Sequence, residues 1–267
     1  MGFAFRAGGV QTARQFSICG QRSGPVHIAY SVLFLLFVGL SETMRHGVFG
    51  LTPSEMSMLS HASLLLLALI LLRGDVVFLL RRPGHDLYDD RRLGWSWRRT
   101  ALGLAVAPAL WIAPVSWALA SGEPPFTPFA VQNMPAGTVA TLLVFALAQT
   151  LFLREAAIKA FHADIRAIYL VSVLSCFIFY LPQGLPAAMV GAGVGAFLLT
   201  LRLIGTNPLV VACIHAINGI MLTEVLAPGP SGTGDWNWSA CILAASALLS
   251  VLLFQVLAAK RRRTVHA

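Results

Sequence analysis

Charge is what this chain of 267 residues has least of: 11% of its residues are Asp, Glu, Lys or Arg. Soluble domains carry about a quarter. Acidic residues are the scarcest, 11 against 19 basic ones. With 57% apolar residues and a mean hydropathy of +0.75, the deficit excludes a soluble globular fold. It excludes disorder too, because so much apolar surface cannot stay solvated. Alternation of apolar and polar residues is also missing, which excludes a membrane β-barrel. Cysteine is sparse. Cys19, Cys176, Cys213 and Cys241 form no Cys-x-x-Cys pair, and no disulfide framework is indicated. Three lie in apolar runs and read as small buried hydrophobes. Cys19 reads as a thiol in a cytoplasmic tail. No internal repeat is visible, so a transporter built on inverted repeats gains no support.

What is present is a series of apolar segments at about 27–44, 57–80, 100–120, 136–158, 167–183, 186–204, 207–225 and 238–259. At roughly 20 residues per crossing they predict an all-α bundle of about eight transmembrane helices. The expected organisation is a basic tail over 1–26, one membrane domain over 27–259 and a second basic tail over 260–267. A transit peptide shares the composition of the first tail, and a plain cytoplasmic tail is the simpler reading. Basic residues cluster before the first segment, between the second and third (Arg81, Arg82, Arg91, Arg92, Arg98, Arg99) and after the last (Lys260 to Arg263). Arg154, Lys159, Arg166 and Arg202 join the same side if eight segments cross. Only Arg45 opposes them. That asymmetry predicts cytoplasmic termini. It accounts for the net charge of +8 through topology and the lipid bilayer, and no nucleic-acid partner is expected.

Polar groups inside apolar segments are costly and are functional candidates by default. Asp75, Glu224 and His61 lie near segment ends and have simple anchoring roles. In the fourth segment Glu155 and Lys159 stand four apart, on one helix face, beside Arg154. They form either an ion pair or a reactive carboxylate with a basic neighbour. In the seventh, His215 falls near the bilayer midplane and Asn218 follows on the same face. These two either lock helices together or supply a general base and an amide donor. Phe179 and Gln183 flank Pro182 at the turn after the fifth segment. Gly191, Gly193 and Gly195, with alanines around them, predict close helix packing.

The order of these motifs resembles the CPBP family, the CAAX-protease and bacteriocin-processing membrane proteins. The resemblance covers about residues 90–225. Leu93-Gly94-Trp95 looks like the family's lead-in. Arg154-Glu155-x-x-x-Lys159-Ala160 is similar to its Glu-Glu-x-x-x-Arg-Gly motif. Phe179-x-x-x-Gln183 stands at its Phe-x-x-x-His, and His215 opens its His-x-x-x-Asn. Arg154 replaces the leading Glu, Gln183 replaces a His, and Gly219 occupies the Asn position, with Asn218 one residue early. The resemblance implies an intramembrane endopeptidase cutting a membrane-associated peptide or protein, in a bacterial inner membrane. Glu155 would activate water, His215 would act as base or oxyanion donor, and Asn218 would orient. Lys159, Arg154, Gln183 and Phe179 would support them. It implies no cofactor, and Glu155, His215 and Gln183 make a poor zinc set. The substitutions leave a second expectation open: a catalytically silent CPBP-like scaffold or partner-binding protein.

Overall fold

The computed structural model describes residues 10–45, 50, 52–72, 95–122, 136–161, 164–222 and 236–265. Every regular element among them is helical, as unbroken apolar runs require. The first two are α1 (Val10–Arg45) and α2 (Pro53–Leu72). Next come α3 (Trp97–Val106), a 3₁₀ turn (Ala107–Trp111) and α4 (Ile112–Ser121). The centre holds α5 (Ala136–Gln149), a π-helical segment (Thr150–Ala156) and α6 (Ala157–Phe161). Then follow α7 (Ile165–Tyr180), α8 (Leu185–Leu203), α9 (Pro208–Ile220) and α10 (Trp236–Val265).

Among the described residues, seven stretches are long and apolar enough to cross a membrane. The chain is thus an all-α, multi-pass bundle. The seventh expected segment is α9. Its 13 residues extend about 20 Å at 1.5 Å per residue, short of a ~30 Å hydrocarbon core. The expected third segment is helical but not continuous. Pro108 has no N–H to give the ladder, and the chain tightens into 3₁₀ geometry there before α4 resumes. The first basic tail is itself helical from Val10, and α10 runs on through the basic residues at the other end. Asp75, Glu224, Leu93, Gly94 and the basic run Arg81 to Arg92 lie outside the described residues.

Leu35, Leu66, Leu170 and Leu248 are each more than half exposed. Such a belt of outward leucines suits lipid, where an aqueous surface would penalise it. Of the cysteines, Cys176 is buried, Cys213 is exposed and Cys241 is half-buried. The expectation of three buried thiols therefore holds for one, because α9 turns Cys213 outward.

The interior is organised around α8, which packs against α7 on one side and α10 on the other. Its glycines permit this. A Cβ on Gly193 would stand 3.0 Å from the Leu243 backbone, and one on Gly195 would stand 2.7 Å from Cys176 Sγ. After α8, Gly205 adopts a left-handed φ of 99°, and the Ser96 N–H donates to its carbonyl at 3.0 Å. Asn207 then caps α9, its Oδ1 accepting from the Leu209 N–H at 2.8 Å, with Pro208 in the first turn. The Asn207 N–H donates to Thr100 Oγ1 at 3.0 Å, tying α9 to α3. Asn207→Ala is expected to cost about 1 kcal/mol through the lost cap. Thermal unfolding in detergent measures it.

The basic count needs one correction. Arg154 and Arg202 are 1% and 0% exposed and sit inside the bundle. They belong to the interior and not to loops, so neither speaks to topology.

Candidate functional site

The π segment is where α5 departs from regular geometry. Its residues, Thr150 to Ala156, are all buried. A π turn bonds i to i+5, and such turns recur at functional sites. Two cross-helix hydrogen bonds set α7 against it. Ser172 Oγ donates to the Leu153 carbonyl at 2.7 Å, and the Tyr180 hydroxyl donates to Gln149 Oε1 at 2.9 Å.

Beside the π segment lies a cavity of about 120 Å³. Arg154, Gln183, His215 and Gly219 all border it, with Tyr180 and Cys176. Three separate stretches of chain thus bring the motif positions to one place. Gln183 lies seven residues beyond Cys176, past the end of α7 in the 3₁₀ turn Leu181–Gln183, at roughly 10 Å or more along the chain axis. The cavity is therefore elongated, and Gln183 stands at its exposed end. Arg154 reaches in from the π segment. Its Nη1 donates to Thr150 Oγ1 at 3.3 Å, and its Nε has no hydrogen-bond partner among the described residues. His215 is half-buried. Its Nδ1 is shielded and likewise lacks a partner.

Glu155 does not border this cavity. Its Oε1 accepts from Arg202 Nε at 2.5 Å, and both side chains are 0% exposed. Its Oε2 has no partner among the described residues. Of the two alternatives for Glu155 and Lys159, the ion pair between them is not the arrangement seen: Glu155 is on Arg202. Lys159 Nζ donates to the carbonyls of Leu71 and Leu72 at 2.9 and 3.3 Å. Those carbonyls end α2, where a helix leaves acceptors unsatisfied and attracts cations. Arg202, reaching across from α8, takes the carboxylate instead.

Asn218 is also turned elsewhere. It is fully buried, and its Oδ1 accepts from Trp111 Nε1 at 2.7 Å. One residue along a helix is about 100° of rotation. Gly219, not Asn218, therefore faces the cavity. Phe179 packs on Phe37, with ring centroids 5.9 Å apart, and against the edge of His61 at 5.6 Å. It lines a second, larger cleft of about 470 Å³ between α1, α2 and the end of α7.

Sequence reasoning passed over several polar residues here. Arg202, which ends the sixth apolar segment, counted only toward the charge asymmetry, and the structure puts it on Glu155. Tyr180, Gln149 and His61 form a chain between the two cavities. Gln149 Nε2 donates to His61 Nε2 at 3.0 Å, and His61 Nδ1 donates to the Ser57 carbonyl at 2.8 Å. No signal in the sequence joins residues so far apart. Comparison with known proteins finds no matching family model, no matching curated protein and no matching solved structure.

Proposed function

We propose that the chain is a catalytically silent CPBP-like membrane protein that binds a partner or ligand, and not an endopeptidase. One observation carries this reading. The Glu155 carboxylate is tied to Arg202, while the cavity that holds His215 is bordered by Arg154 and, among the described residues, by no carboxylate. Water activation needs a base within about 2.6–3.2 Å of the proton it takes, directly or through one water. A guanidinium is a donor only and stays charged, so Arg154 cannot be that base. A cation in a low-dielectric site also opposes the positive charge that His215 would acquire as it took a proton. The same arrangement suits binding: a small cavity with apolar walls and a few polar groups, Arg154, Tyr180, Gln183 and His215, at its border.

The test compares membrane-protein termini in cells carrying wild type, His215→Ala, Glu155→Ala and a deletion. No new peptide end should depend on either side chain. A terminus that appears with wild type and vanishes with His215→Ala would overturn the reading and restore the endopeptidase.

A further inference from the structure

A buried guanidinium requires an anion. Isolated charges in a membrane interior are costly, and they persist where they are paired or functional. Among the described residues two such groups lie in the interior, Arg202 and Arg154. Arg202 has Glu155. Arg154 is 1% exposed, has no carboxylate partner among the described residues and holds only Thr150 through Nη1. It borders the cavity, and His215 stands beside it with a shielded, unpartnered Nδ1.

We infer that this cavity binds the carboxylate of a fatty acid, with Arg154 as the counter-ion. This rests on the reading of the chain as a binding protein and adds the chemical class of what it binds. The donor set points to a carboxylate. An arginine edge matches a planar two-oxygen anion, and its single charge balances that of one carboxylate. The size agrees. About 120 Å³ is on the order of four water volumes at ~30 Å³ each, room for a carboxylate and a few methylenes. The walls agree too. Val190, Val194 and Leu222 line the way from Arg154 toward the mouth. Gln183 and Gly219 are exposed there, so the tail of a longer chain can leave the cavity at that end. Arg154 takes the charge of the carboxylate. The apolar walls accept the methylenes.

The experiment uses the full chain purified in detergent, with radiolabelled palmitate as probe. Saturable binding is expected. Octanoate should displace the label, and methyl octanoate and octanol should not. Arg154→Gln should weaken binding at least tenfold, and Arg154→Lys should recover part of it, since the charge returns without the fork. Val190→Phe keeps Arg154 but narrows the passage, and it should also lose palmitate. That variant keeps the test decisive if Arg154→Gln fails to fold. Absence of saturable binding overturns the inference, as does equal displacement by methyl octanoate or by lysophosphatidic acid. Binding untouched in both Arg154→Gln and Val190→Phe also overturns it. Each of those results leaves the non-hydrolytic reading standing. A His215-dependent cut peptide removes that reading and not this one.

Discussion

Arg202→Met is expected to destabilise the protein by about 3–5 kcal/mol, because it leaves the Glu155 carboxylate buried and without its cation. Glu155→Leu should cost a similar amount for the converse reason. The two side chains are 0% exposed and meet at 2.5 Å, so neither has water to fall back on. The decisive variant is the pair. Glu155→Leu with Arg202→Met removes both charges at once and fills the same volume with apolar atoms. Such replacements of buried pairs are often neutral or stabilising. The double variant should therefore recover most of the loss. Unfolding of all three in one detergent gives the coupling energy directly. A double variant as unstable as the sum of the singles would mean that the residues do not act as a pair. This cycle also separates structure from chemistry. If Glu155 were held for water activation, the stable double variant would lose a product while keeping the fold.

The second large effect is steric. Gly191→Ala should cost about 3 kcal/mol, the upper part of the overpacking range. A Cβ built there lies 2.2 Å from Tyr180 Cδ2 and 2.8 Å from its Cγ. The ring is tethered, since its hydroxyl donates to Gln149 Oε1 at 2.9 Å. Either α7 and α8 separate or the Tyr180–Gln149 bond breaks. Tyr180→Ala in the same chain should relieve the clash and make Gly191→Ala nearly neutral against that background. Thermal unfolding of the four proteins distinguishes the cases. A full penalty persisting beside Tyr180→Ala would place the strain in the backbone and not in the ring.

The clash shows where sequence reading succeeds. Gly191, Gly193 and Gly195 sit at spacings that allow close approach, and the structure puts α7 and α10 against them. The helical class was equally plain, because each apolar run is a property of consecutive residues. The broken third helix was legible in principle from Pro108, a residue that removes one ladder hydrogen bond wherever it stands. Arg154, Gln183 and His215 were named as candidates, and they border one cavity. What they do together was not legible. Glu155 and Lys159 at i and i+4 left an ion pair and a reactive carboxylate both open, and each residue has another partner. Asn218 promised a place beside His215, and it faces Trp111.

The chain by itself determined that it crosses membranes as apolar helices, which stretches form them and which polar residues they carry. Those properties follow from local composition and from 3.6-residue periodicity, which relate neighbours on one helix. The tertiary structure decided which charges meet. Glu155 is 47 positions from Arg202, and Trp111 is 107 from Asn218. In a low-dielectric interior each ionised group takes the best opposite charge within reach, whichever helix supplies it. That choice leaves Arg154 at the border of the small cavity with no carboxylate beside it among the described residues.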